Sequence, residues 1–169
     1  MNLKSFKYLI GIDEVGRGPL AGPVTLCAVA IPKGFSVGKK FPGINDSKQL
    51  SEEARERYFA LARESARRKE ISYRVAHVGS HIIDTIGLSA AVRRAIKSCL
   101  TRLEIAPKDC QVYLDGSLYA PKEFIHQQTI IGGDAKIKII SLASVIAKVT
   151  RDRKMKRLAK RYSHYGFFD

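Results

Sequence analysis

Four acidic residues stand where acids are costly. Asp13 and Glu14 follow the apolar run Ile10-Gly11-Ile12, Asp115 closes Val112-Tyr113-Leu114 just before Gly116, and Asp134 follows Gly132-Gly133. Carboxylates are ordinarily solvated and scattered among other polar residues. At the ends of packed strands they repel one another and lose hydration. A divalent cation such as Mg²⁺, which prefers oxygen ligands, removes both objections. Two such ions about 3.5–4 Å apart form a clamp for in-line attack on a phosphodiester. Taken singly, each acid has an ordinary explanation: Asp115-Gly116 a turn, Gly133-Asp134 a loop, Asp13 and Glu14 partners for Lys or Arg. The set of four, with its glycine context and a basic surface, is what points to phosphoryl chemistry.

These acids need strands and turns to bring them together. Lys7 to Val15 and Val24 to Ile31 are short apolar runs around a Gly/Pro turn, which reads as a β-hairpin. On an extended strand Asp13 and Glu14 point to opposite faces. Pro32 to Leu50 reads as a loop carrying Asp46-Ser47-Lys48. Ser51 is a good N-cap, with Glu52 and Glu53 in the first turn of a helix reaching about Lys69, whose Tyr58, Leu61, Ala62 and Ala66 share a face. Ile71–Val78 reads as a strand, and Ser80–Leu103 as helix interrupted at Gly87. Gln111–Leu114 is a strand ending at Asp115, where open α/β sheets gather ligands. Phe124–Ile131 is a further strand, and Ser141 to about Tyr162 a long helix. Strands followed by alternating helices and strands give an α/β domain on a mixed sheet.

The chain has 169 residues, of which 45 % are hydrophobic, with 30 Lys and Arg against 16 Asp and Glu, a formal net charge of +14. That length suits one globular domain over residues 1–169, and the charge favours a polyanionic partner through counterion release. Between Lys148 and Arg161 lie eight basic residues and one acid. Val145, Ile146, Val149 and Leu158 pack one stripe of this helix on the core, and the remainder reads as a cationic rail for phosphates. No apolar stretch approaches a membrane span and no signal peptide is read near Met1. Cys27, Cys99 and Cys110 have no metal-ligand spacing, which points to reduced thiols and a cytoplasmic location. His77, His81, His126 and His164 have none either, and no chemistry is assigned to them.

The segment Ile12-Asp13-Glu14-Val15-Gly16-Arg17-Gly18-Pro19-Leu20-Ala21-Gly22-Pro23 resembles the N-terminal signature of the ribonuclease HII family. Asp46-Ser47-Lys48, Leu114-Asp115-Gly116, Gly133-Asp134 and Ala143-Ser144-Val145-Ile146-Ala147-Lys148-Val149-Thr150-Arg151-Asp152 resemble its later segments in the family's order. The resemblance implies a ribonuclease H-like fold, a mixed β-sheet flanked by helices. It implies Asp13, Glu14, Asp115 and Asp134 as catalytic ligands of Mg²⁺ or Mn²⁺, with Asp134 preferred over Asp152, which is expected to pair with its neighbours Arg151 and Arg153. It implies that Gly16, Arg17 and Gly18 sense a 2′-hydroxyl, that Ser47 and Lys48 hold a substrate phosphate, and that Ser144 and Lys148 belong to the same surface. Glycines allow the close backbone approach that such sensing needs.

The activity so implied is a monomeric endoribonuclease acting 5′ to a ribonucleotide, in RNA/DNA hybrids or in duplex DNA with embedded ribonucleotides. The family's Lys-Gly-Tyr segment, expected a few residues past Tyr165, is missing here, and neither Tyr162 nor Tyr165 takes its role. Gly87 and Gly132 stand where the family more often has polar or basic residues. An inactive or weak nucleic-acid-binding module is the alternative reading. A ribonuclease HIII would carry an extra N-terminal domain, and this chain begins almost at the first catalytic strand.

Overall fold

The computed structural model describes residues 6–19, 21–165 and 167. Met1, Leu20 of the first signature, and Phe168 and Asp169 at the end of the chain lie outside them. The hairpin forms as its sequence requires: β1 (Tyr8–Val15) pairs antiparallel with β2 (Val24–Pro32), Tyr8 opposite Pro32 and Val15 opposite Thr25. β3 (Ser72–Val78) adds antiparallel to β2. β4 (Cys110–Asp115) and β5 (Gln127–Ile130) extend the other side in parallel, giving the order β3-β2-β1-β4-β5. The expected mixed sheet flanked by helices is what the chain builds.

Side-chain alternation sends the apolar residues to both faces, and each face has its own core. On one face Ile10, Ile12, Leu26 and Leu114 pack with α4 (Leu88–Leu103), which contributes Val92, Ile96 and Leu100. On the other, Cys27, Val29 and Ile31 meet α1 (Val37–Lys40), α2 (Glu52–Arg67) and α6 (Lys138–Arg161). α6 is buried almost all round in its first half, from Ile139 to Ala147, and only beyond that becomes a surface helix. Gly11 shows how closely it lies on β1: a Cβ there would come within 2.6 Å of the Ile139 carbonyl carbon. The three cysteines are free and fully buried. Among the described residues no helix is long and apolar enough to cross a membrane.

Several sequence expectations need correction. The Pro32–Leu50 segment is not simply loop: it holds α1 and a 3-10 turn, Ser47–Gln49, which the Asp46 side chain caps by accepting from the Lys48 N–H at 2.9 Å. On α2 the inward face is Tyr58, Phe59, Ala62 and Ser65, while Leu61 is 38 % exposed. The interruption at Gly87 is a complete break between α3 (Ser80–Ile86) and α4, at φ 78° and ψ 156°, a region that L side chains avoid. Finally, Asp134 sits not on a plain loop but in a one-turn helix, α5 (Gly133–Lys136), entered through Gly132 at φ 65°.

Candidate active site

The strand register brings the first two acids together. Ile12 of β1 is paired with Leu114 of β4 in a parallel ladder, so Asp13 and Asp115 follow side by side at the C-terminal ends of neighbouring strands. Gly11 and Asp13 share the face toward α6, so Asp13 ends up beneath the helix, 5 % exposed. Its carboxylate receives the Glu14 N–H at 2.7 Å and has the Ser144 hydroxyl beside it, which helps to offset the cost of its charge. Ser144 and Ser47 in turn share a 2.9 Å hydrogen bond that ties the Asp46-Ser47-Lys48 turn to α6. Asp115 Oδ1 accepts the Gly133 N–H at 2.6 Å, which draws α5 and Asp134 toward the end of β4. Glu14 leans forward along the chain to Arg17, 3.0 Å away.

All eleven residues expected from the sequence line a single cleft of about 390 Å³: Asp13, Glu14, Asp115 and Asp134, the backbone of Gly16-Arg17-Gly18, then Ser47, Lys48, Ser144 and Lys148. Two of them are largely withdrawn, since Ser47 and Ser144 are 5 % and 4 % exposed and bonded to each other. Lys148 makes an ion pair at 2.8 Å with Asp152. Asp152 is therefore held by the lysine one turn back rather than by Arg151 or Arg153, and it does not line the cleft. Two residues of the site had not been singled out. Arg151, 7 % exposed, forms part of the cleft wall. Asp46 lies near Asp134 as a fifth carboxylate and helps to push its carboxyl up. Its cap position, with Ser47 and Lys48 following, carried no sign that it would meet Asp134.

The electrostatics are those of crowded acids. Burial, with repulsion from Glu14 and Asp115, raises Asp13 from 3.8 to about 8. Burial likewise pushes Glu14 and Asp134 up, with Asp115 adding to both. Among the described residues no three acidic, histidine or cysteine side chains converge closely enough to ligate one ion as they stand. Each carboxylate has a partner of its own instead: Asp13 the Glu14 N–H, Glu14 the Arg17 guanidinium, Asp115 the Gly133 N–H, and Asp134 the Ala135 N–H. The chemistry of the set nevertheless fits a hard cation. Glu14 Oε2 is buried with no hydrogen-bond partner, and such an orphaned anionic oxygen is what a metal ion satisfies.

The family model described as ribonuclease HII matches residues 10–167. The chain belongs to the ribonuclease HII family. Its curated relatives include the ribonuclease HII of Bacillus anthracis, 45 % identical over 165 residues, and that of Bacillus thuringiensis (strain Al Hakam), 44 % identical over 164. These alignments cover 97 % of this chain and 59 % of each relative, so the chain spans about three-fifths of the length of the family members it matches. Among solved structures it superposes on the ribonuclease H2 from Pyrococcus horikoshii OT3 with a TM-score of 0.75 and 29 % identity, covering 94 % of this chain and 79 % of that one. Ribonuclease HII in the PCNA:RNase HII complex from Archaeoglobus fulgidus gives 0.71 at 26 % identity, covering 91 % and 77 %. The fold extends to Bst-RNase HIII, solved in complex with Mn²⁺, at 22 % identity and a TM-score of 0.72, over 94 % of this chain and 56 % of that one.

Proposed function

We propose that the cleft is the active site of an endoribonuclease that cuts 5′ to a ribonucleotide, in RNA/DNA hybrids or in duplex DNA containing single ribonucleotides, leaving a 3′-hydroxyl and a 5′-phosphate. The observation that carries the reading is the meeting of four carboxylates, remote in sequence, with the Gly16-Arg17-Gly18 backbone in one cleft. Asp13, Glu14, Asp115 and Asp134 would hold Mg²⁺ or Mn²⁺, which when bound supplies Lewis acidity and a water of lowered pKa. The chain's own residues do the rest. Lys48, in no ion pair among the described residues, is placed to take a non-bridging phosphate oxygen at the rim. Open backbone groups around Gly18, where nothing lies within 4 Å of a Cβ position, leave room for a 2′-hydroxyl to approach and exchange hydrogen bonds. Ser144, braced by Ser47, holds the Asp13 carboxylate in place. Arg17 has Glu14 as its partner and moves to substrate only when Glu14 finds another.

The test is a labelled duplex with one embedded ribonucleotide, incubated with Mg²⁺, Mn²⁺ or chelator. Incision 5′ to the ribonucleotide in metal alone, lost by at least about 10³-fold in Asp13→Asn with folding retained, is the expected result. The individually tethered carboxylates favour one competing reading, a module that binds without cutting. Salt-sensitive binding with no incision in either metal would establish that reading instead.

A further inference from the structure

The segment that joins β1 to β2 and carries Gly16-Arg17-Gly18 has little to hold it. Among the described residues, those between 16 and 22 make no backbone–backbone hydrogen bond with one another or with the rest of the chain, and the ladder ends at the pair Val15–Thr25. What lies beneath it is Arg151, reaching up from α6. Arg151 Nε donates to the Pro23 carbonyl at 3.1 Å and Nη2 to the Ala21 carbonyl at 3.3 Å, across 128 and 130 residues of sequence. The guanidinium also sets how low the loop lies. A Cβ on Gly16, at φ 99°, would come within 2.5 Å of Arg151 Nε, and one on Gly22, at φ 90°, would come within 2.5 Å of the Met155 sulfur. The two glycines thus let the backbone rest directly on two α6 side chains one turn apart.

A buried arginine is costly unless its charge is matched. Arg151 is 7 % exposed and among the described residues makes no ion pair, only the two carbonyl contacts. Those contacts hold a loop and contribute nothing to either core. We propose that Arg151 is a positioning residue that straps the Gly16–Pro23 segment to α6 and so fixes the height of the Gly16-Arg17-Gly18 backbone over the cleft, on which selection of a ribonucleotide over a deoxyribonucleotide depends. The inference rests on reading the cleft as the ribonucleotide site. Arginine suits the role and lysine does not, because two donors on one rigid planar edge reach two carbonyls at once, whereas an ammonium makes a single point contact.

The experiment compares wild type, Arg151→Lys and Arg151→Met by two measurements. One is the ratio of affinities, in chelator, for duplexes with and without one ribonucleotide. The other is amide hydrogen exchange of residues 16–22, which needs no substrate. In Arg151→Met the ratio should fall by about tenfold and exchange at residues 16–22 should quicken, while the melting temperature and Mn²⁺ binding stay near wild type. Arg151→Lys should lie between. Unchanged exchange in Arg151→Met overturns the strap. Faster exchange with an unchanged ratio overturns its link to selection. A wild-type ratio of one defeats the ribonucleotide reading of the cleft, and with it the link to selection, while the exchange data still decide whether the strap exists. Should Arg151→Met not fold, Arg151→Gln, which keeps a polar end but cannot reach both carbonyls at once, carries the same two measurements.

Discussion

At the residue scale the acids of the cleft are held where their own charge is costly. Asp13 is the clearest case, raised to about 8 by burial and then by its acidic neighbours. In the metal-free protein the folded chain binds this proton more tightly than the unfolded chain does. The stability Asp13 contributes is therefore complete below about pH 3.8 and is lost as the pH rises toward 8. Asp13→Asn has no such loss. In chelator, its melting temperature should exceed that of wild type by an amount that grows from pH 4 to pH 8, about 2–4 °C for each kcal/mol recovered. Added Mn²⁺ should then stabilise wild type far more than the variant. A difference that stays flat across this range would mean that Asp13 ionises freely. Sequence patterning revealed the four acids because they interrupt apolar runs or follow glycine. It was silent on Asp46, whose place as the cap of a turn is as ordinary as any, and on Arg151, one of nine basic residues in its helix. Both owe their roles to contacts about 90 to 130 residues away, which no local pattern encodes.

At the scale of elements, the carboxylates meet because β1 and β4 run parallel in a ladder whose last pair, Ile12 and Leu114, stands just before Asp13 and Asp115, and because α6 can lie almost on the β1 backbone. The second condition depends on Gly11. Gly11→Ala would set a methyl group 2.6 Å from the Ile139 carbonyl carbon, against backbone that cannot rotate away. α6 must lift, at a cost of about 1–3 kcal/mol, read as a fall of several degrees in melting temperature. Ser144 would withdraw from Asp13, so cleavage should decline further than stability alone explains. A variant as stable and active as wild type would show that the helix is not seated by this contact. The hairpin, α2, β3 and β4 were legible because alternation, an N-cap and apolar runs all agree there. β5 is four residues rather than the expected eight, and α5 was not foreseen, because one turn of helix beside two glycines has no periodicity to detect.

At the scale of the whole molecule the excess of positive charge is less evenly available than composition suggests. Along α6, Arg153 pairs with Glu56 and Lys156 with Glu52 at 2.6 Å, so part of the expected cationic rail instead joins α6 to α2. Such exposed pairs add little stability, but they do occupy the cations. In a salt titration of duplex binding, Lys48→Ala should reduce the slope of log K against log salt by about 0.9, and Lys156→Ala should leave it unchanged. Equal losses from both would restore the rail. The interior offers a practical consequence of another kind. Burial pushes the Cys99 and Cys110 thiols up to about 11 and raises Cys27 well above the ordinary thiol range, with none of the three reaching solvent. Thiolate is the reactive form, so the native sulfurs stay silent toward maleimides and iodoacetamides at neutral pH. One cysteine introduced on the exposed Arg17–Pro19 stretch would then be the sole target, and a spin label or fluorophore could follow the approach of a duplex in the otherwise native protein.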